Sequence, residues 1–385
     1  MSGPPTTERG SLFDVDGFIE KSTRYIREAV GDDCAVVAVS GGVDSTTAAV
    51  LAYRALGEKL HPVFIDTGFM RLGEDVHVPK LLRSVLPNLT VLKERSRFYE
   101  AVMGVPDAEE KRKRFREVFY RVLSEFAEKV GCRKLVQGTI APDVIETTGG
   151  IKTQHNVLRD VGLDPVSRYG FEVVEPLREL YKDQVRMVAR KLGVPREIVE
   201  RQPFPGPGLL VRCVGACSPE KLSVLRVADK MFTGLVEYLG WRPSQYLVAV
   251  WESERHPGKT LEIDGIRMEA YAARATGVKG DARAYGLVYV ADVDPRSALE
   301  KFLWAKLTSL DRDAVRLVAR LWSGGGGKYV VAIRAVQTED FMTADVALPD
   351  RETLEVIVEG LSGIRNVAEI VYDVTPKPPA TIEYE

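Results

Sequence analysis

Residues 40–45 read Ser-Gly-Gly-Val-Asp-Ser, between a short apolar run at 34–39 (CAVVAV) and a stretch of helix formers at 46–56 (TTAAVLAYRAL). The apolar run has the composition of a strand buried on both faces, as in a parallel sheet. The segment therefore reads as strand, glycine turn, helix. Two adjacent glycines let the main chain bend sharply and come close to a ligand. The first amides of the helix lack intrahelical acceptors and offer an anion site. Ser40 and Ser45 add hydroxyl donors, and Asp44 stands where a carboxylate can hold magnesium on bound phosphates. The bland alternative is a simple tight turn between strand and helix.

Around this motif, strands and helices alternate. The spacing predicts helices over 16–30, 107–130 and 182–192, and strands over 59–66, 90–93, 134–139 and 171–177. Such alternation implies an α/β fold, a doubly wound, mostly parallel sheet whose ligands sit at the carboxyl ends of its strands. Residues 203–208 (PFPGPG) carry three prolines and two glycines and break the pattern. A smaller α+β domain is expected after them, with strands over 246–250, 284–292, 329–336 and 367–374 and helices over 220–238, 297–321 and 351–361. The expected organisation is a flexible tail (1–15), a nucleotide domain (16–202), a linker (203–212) and a C-terminal domain (213–385).

With 385 residues, 53 Lys plus Arg and 55 Asp plus Glu, the chain can build large cores but carries no field that argues for nucleic acid or a membrane surface. No apolar stretch reaches the ~18 residues a membrane span requires, so the expected location is the cytoplasm. Four cysteines are too few for a disulfide framework and suggest a reducing interior. Cys213 and Cys217 are expected as small buried core residues. Neither Cys34 nor Cys132 has a partner histidine close in sequence.

The SGGVDS turn resembles the PP-loop of ATP pyrophosphatases, an adenine nucleotide alpha hydrolase-like fold. Beyond it, the runs DTGFMR (66–71), EEKRK (109–113), QGTIAPDVIE (137–146), IKTQHNV (151–157), QPFPGPGLLVR (202–212), VKGDARAY (278–285), RAVQTEDFMTA (334–344) and KPPATIEYE (377–385) resemble GMP synthases in family order. The resemblance implies ATP-dependent amination of xanthosine monophosphate (XMP) through an adenylyl-XMP intermediate, with ammonia as the nitrogen source and ATP and Mg2+ required. It implies that Ser40, Gly41, Gly42, Val43, Asp44, Ser45, Thr46, Asp66, Gly138 and Asp143 bind ATP, with Asp44 and Asp143 positioning the metal. Arg112, Asp281, Lys377, Ile382 and Glu383 match XMP contacts. Lys152 and His155 match a lid over ATP, in a family where two histidines often stand at Gln154-His155. Asp44, Lys152, His155 and Lys377 are the implied catalytic set.

Each match has a duller counterpart. Lys111, Arg112, Lys113, Arg114 and Arg116 read equally well as a solvated helix face, Asp66 as a turn residue, Lys377 as a loop lysine and His155 as a surface histidine. Gly324–Gly327 with Lys328 fails as a Walker loop, because Trp322 and Tyr329 occupy its glycine and hydroxyl positions; it reads as a hairpin or lid turn. Residues from about 286 to 328 form an insertion relative to compact family members. No Cys-His-Glu glutaminase set is evident, so the expectation is a synthetase subunit, homodimeric, receiving ammonia from a separate glutamine amidotransferase subunit.

Overall fold

A computed structural model describes residues 13–148, 169–279, 282–324, 326–338, 344–381 and 383–385. The predicted sites Lys152, His155, Asp281 and Ile382 lie outside the described residues, as does most of the expected lid. The first sheet contains β1 (Ala35–Ala38), β2 (Leu60–Asp66), β3 (Thr90–Lys93), β4 (Lys134–Val136) and β5 (Glu172–Val174), all parallel, in the order β3-β2-β1-β4-β5. Successive side chains of β1 alternate between faces. Ala35 and Val37 join the core under α1 (Val15–Val30) and α2 (Val43–Leu56), whereas Val36 joins the core under the long helix Ala108–Val130. Both faces are covered, which explains why CAVVAV is apolar throughout rather than alternating.

The second sheet is built from β6 (Gln245–Glu252), β7 (Arg255–Ile263), β8 (Ile266–Lys279), β9 (Ala282–Ala291), β10 (Ala314–Ser323), β11 (Tyr329–Gln337), β12 (Asp345–Val346) and β13 (Val367–Asp373). These run in the order β12-β11-β13-β10-β9-β8-β7, with β6 on β11. Helices Pro219–Tyr238 and Arg351–Ser362 contribute Leu225, Phe232 and Ile357 to the core on one of its faces.

Three expectations are corrected. The single helix expected over 297–321 is two short helices, Pro295–Glu300 and Leu303–Leu310, followed by strand β10. The Asp311-Arg312-Asp313 turn stops the helix, and the apolar run after it fits between β9 and β13. The turn at 324–327 does not close a hairpin, because β13 lies between β10 and β11. Its Gly327 crosses β13 so closely that a Cβ would stand 2.3 Å from the Val367 carbonyl carbon.

The third correction concerns cysteine. Cys34 and Cys132 form a disulfide across 98 residues. Parallel pairing of β1 with β4 brings together the residues just before each strand, an adjacency absent from the local sequence. His61, on β2, has a ring nitrogen within 4.8 Å of both sulfurs. Cys213 and Cys217 are free and buried, as expected.

Candidate active site

In the first sheet, β2 and β3 lie to one side of β1 while β4 and β5 lie to the other. The chain thus leaves the carboxyl ends of β1 and β4 in opposite directions, which opens a crevice there. The SGGVDS turn fills that position. Gly41 has φ +78°, and a Cβ on it would meet a Val78 methyl at 2.4 Å, so glycine is required on both counts. Gly42 caps α2 in an extended conformation without a side-chain hydrogen bond. The Ser40 and Ser45 hydroxyls lie 3.1 Å apart, and Ser45 Oγ donates to the Gly42 carbonyl at 3.3 Å. The Thr46 amide donates to the same carbonyl at 3.1 Å, so the amides preceding it in the first helical turn are the ones left for a ligand.

Asp44 projects from this turn. One of its carboxylate oxygens accepts from Lys182 Nζ, and the other is buried with no hydrogen-bond partner among the described residues. A buried carboxylate oxygen without a partner is uncommon and calls for a specific cause. Beside an anion cradle, its chemistry fits a hard cation such as Mg2+. Asp143 lines the same cavity, and its Oδ2 accepts the Ile140 amide at 3.1 Å. Gly138 follows β4 and lies against the start of α2: a Cβ there would be 2.8 Å from the Asp44 carbonyl carbon and the Ser45 nitrogen.

Opposite the cradle, the cavity of ≈ 350 Å³ is walled by cations and by the chain's far end. Arg112, on the Ala108–Val130 helix, is 9% exposed and bonds Glu383 at 2.7 Å, while its Nε is buried without a partner among the described residues. Arg283 approaches Glu383 at 3.7 Å and Glu109 at 3.2 Å. Burial opposes the charge on Arg283, but Glu383, Tyr285 and Glu109 together outweigh it, and its pKa is raised. Burial lowers the Arg201 pKa, with the Glu74 carboxylate opposing; Arg201 also donates to the Gly41 carbonyl at 3.3 Å. Phe204 of the PFPGPG segment has Arg71, Arg201 and Arg212 within 4.8, 5.6 and 5.1 Å of its ring centroid.

The cavity thus gathers Ser40, Gly42, Val43, Asp44, Ser45, Gly138, Asp143, Arg112 and Glu383. Gly41 supports it from behind through Arg201. Thr46 does not line it: the residue is fully buried, and its hydroxyl has no hydrogen-bond partner among the described residues. Asp66 also stands apart. Its carboxylate accepts the Gly68 amide at 3.0 Å and Arg95 Nε at 2.6 Å, which shapes the turn after β2. Lys377 pairs its backbone with Ala344 and does not line the cavity. Lys182, Arg201 and Arg283 were missed. Arg283 lay within the VKGDARAY run, and Lys182 left a signal as the cation opening a helix after β5. Lys111 and Arg112 are buried and paired with Glu385 and Glu383, whereas Lys113 and Arg114 face solvent and pair with Glu110.

The family model described as GMP synthase C terminal domain matches residues 325–384. Among solved structures, the NH3-dependent NAD synthetase of Campylobacter jejuni aligns over 49% of this chain and 77% of that one, at 17% identity and a TM-score of 0.40. A glutamine-hydrolyzing GMP synthase subunit of Saccharolobus islandicus is 48% identical over 375 residues, covering 97% of this chain and 100% of that protein. The protein of the same name from Archaeoglobus fulgidus is 41% identical over 376 residues, with the same coverage. Full-length similarity at these levels, together with a glycine cradle and a cationic wall around one cavity, establishes that the chain belongs to this family of GMP synthase subunits.

Proposed function

We propose that the chain is a synthetase subunit that converts XMP, MgATP and ammonia into GMP, AMP and pyrophosphate. The observation that carries this reading is that the SGGVDS cradle and the Arg112–Glu383 pair line one cavity. An amide-like oxygen leaves poorly until it is adenylylated, so the site must first hold two anions in line and neutralise the departing pyrophosphate. The Val43–Ser45 amides and the Ser40 and Ser45 hydroxyls would cradle that pyrophosphate. Asp44, with Asp143, would hold Mg2+, which supplies charge neutralisation of the phosphates when bound. Lys182 fixes the Asp44 carboxylate and adds a further cation. Arg112 and Arg283 provide the positive wall that a nucleoside monophosphate needs, and Glu383 accepts from nucleoside donors.

The family pattern assigns Asp281, Lys377 and Ile382 to XMP, and Lys152 and His155 to a lid that excludes water during adenylyl transfer. Ammonia would come from a separate glutamine amidotransferase subunit, and the chain would act as a homodimer in the cytoplasm. Incubation with XMP, MgATP and excess ammonium should yield GMP and AMP in equal amounts. Folded protein that makes no GMP under those conditions overturns the proposal.

A further inference from the structure

Arg316 stands on β10, within the stretch read as an insertion, and its side chain is completely buried. A guanidinium presents five donors in a rigid plane, and here they tie Thr276, Asp373, Thr381 and Glu383 together. Nε and Nη2 donate to the Thr276 carbonyl at 3.1 and 2.9 Å. Nη2 also reaches the Thr381 carbonyl and hydroxyl, both at 3.2 Å, and the Glu383 carbonyl at 2.9 Å. Nη1 pairs with Asp373 at 2.9 Å, and that carboxylate accepts from the Tyr384 hydroxyl at 2.6 Å.

A second buried cation holds the same segment two residues further on. Lys111 bonds the Glu385 carboxylate together with the carbonyls of Cys213 at 3.0 Å and Gly215 at 2.7 Å. The Gly215 amide donates to the other Glu385 oxygen at 2.7 Å. Between these anchors the Tyr384 ring stacks on Trp251 at 5.8 Å. Glu383 is left with its carboxylate on Arg112 and Arg283, at the cavity wall.

A buried ion pair is weak evidence of stability, and fixing a definite geometry is one use that buried charges have. In an extended segment a slip of one residue exchanges the side chains facing each side, and here it would put Tyr384 where Glu383 belongs. We infer that Arg316 and Lys111 are positioning residues that fix the register of 383–385, so that the Glu383 carboxylate stands between Arg112 and Arg283 in the monophosphate half of the site. The inference rests on the proposed use of that wall by XMP.

The test uses the full chain with MgATP and ammonium. In Arg316→Met and Lys111→Met, KM for XMP should rise by about tenfold or more while KM for ATP stays within about twofold, and Arg316→Lys should recover part of the loss. Hydrogen exchange at the Tyr384 and Glu385 amides should quicken, with β1 amides unchanged. If a Met variant does not fold, Arg316→Lys and Thr381→Val carry the same readouts. An unchanged KM for XMP in folded variants overturns the inference, as does an equal rise in both KM values. Wild-type protein that makes no GMP defeats the proposed function instead. Exchange at Tyr384 in Arg316→Lys then still decides whether the segment is clamped.

Discussion

At the scale of single residues, the site depends on atoms that have no room to move. A Cβ at Gly138 would press on the backbone of Asp44 and Ser45 rather than on a flexible side chain. Gly138→Ala should therefore displace the start of α2 and lower kcat/KM for ATP by about 100-fold, the scale of loss expected for a misplacement near 1 Å. Asp44→Asn keeps the shape but removes the charge from the carboxylate on Lys182. Product formation in that variant should fall by about 10² to 10³, with far-ultraviolet dichroism unchanged. Wild-type rates in either variant would remove the corresponding residue from the chemistry.

At the scale of elements, the disulfide joins the residues preceding β1 and β4, at the strand ends remote from the cradle. Closing 98 residues in the unfolded chain corresponds to about 4–5 kcal/mol in the chain-entropy description. Cys34→Ser should lower the melting temperature clearly while leaving the rate of GMP formation at moderate temperature near wild type. Equal melting of oxidised wild type and variant would refute that role. The turn before β10 gives a pH signature. Burial pushes the Asp311 carboxyl up, but hydrogen bonds from Lys259, Tyr289 and the Asp313 amide prevail and hold it at about 2. A folded value below the unfolded one, about 3.9, means stability present above pH ~4 and lost as pH falls through ~2. Asp311→Asn should accordingly destabilise the protein at pH 7, and the difference from wild type should vanish below pH ~2. A difference that persists there would assign the loss to packing.

At the scale of the whole molecule, the two sheets share a core. One apolar cluster runs from Val36 and Phe115 through Leu209, Leu210 and Cys213 to Val248 and Ile370. Residues 208–213, which follow the first prolines of the expected linker, are buried throughout. All four tryptophans (241, 251, 304 and 322) lie beyond that segment, so tryptophan fluorescence reports the second sheet, while dichroism at 222 nm also follows the first-sheet helices. Coincident thermal transitions by the two probes are expected from a shared core. Two separated transitions would show that the halves unfold independently.

Much was legible from sequence because it is local. The SGGVDS turn, the apolar strand before it and the helix after it are set by glycine conformation and short-range periodicity, and the strand at 90–93 was located at its observed ends. Where local signals were ambiguous, reading failed: the 297–321 stretch has helical composition, yet its last residues, 314–321, belong to β10 because a sheet position lies open between β9 and β13. The pairings that complete the site were decided by tertiary structure alone. Asp44 meets Lys182 across 138 residues, and Arg112 meets Glu383 across 271. Contacts at such separations leave no periodic trace in the chain. They exist because the parallel sheet brings its carboxyl ends to one crevice and the second sheet folds the chain's far end back onto it.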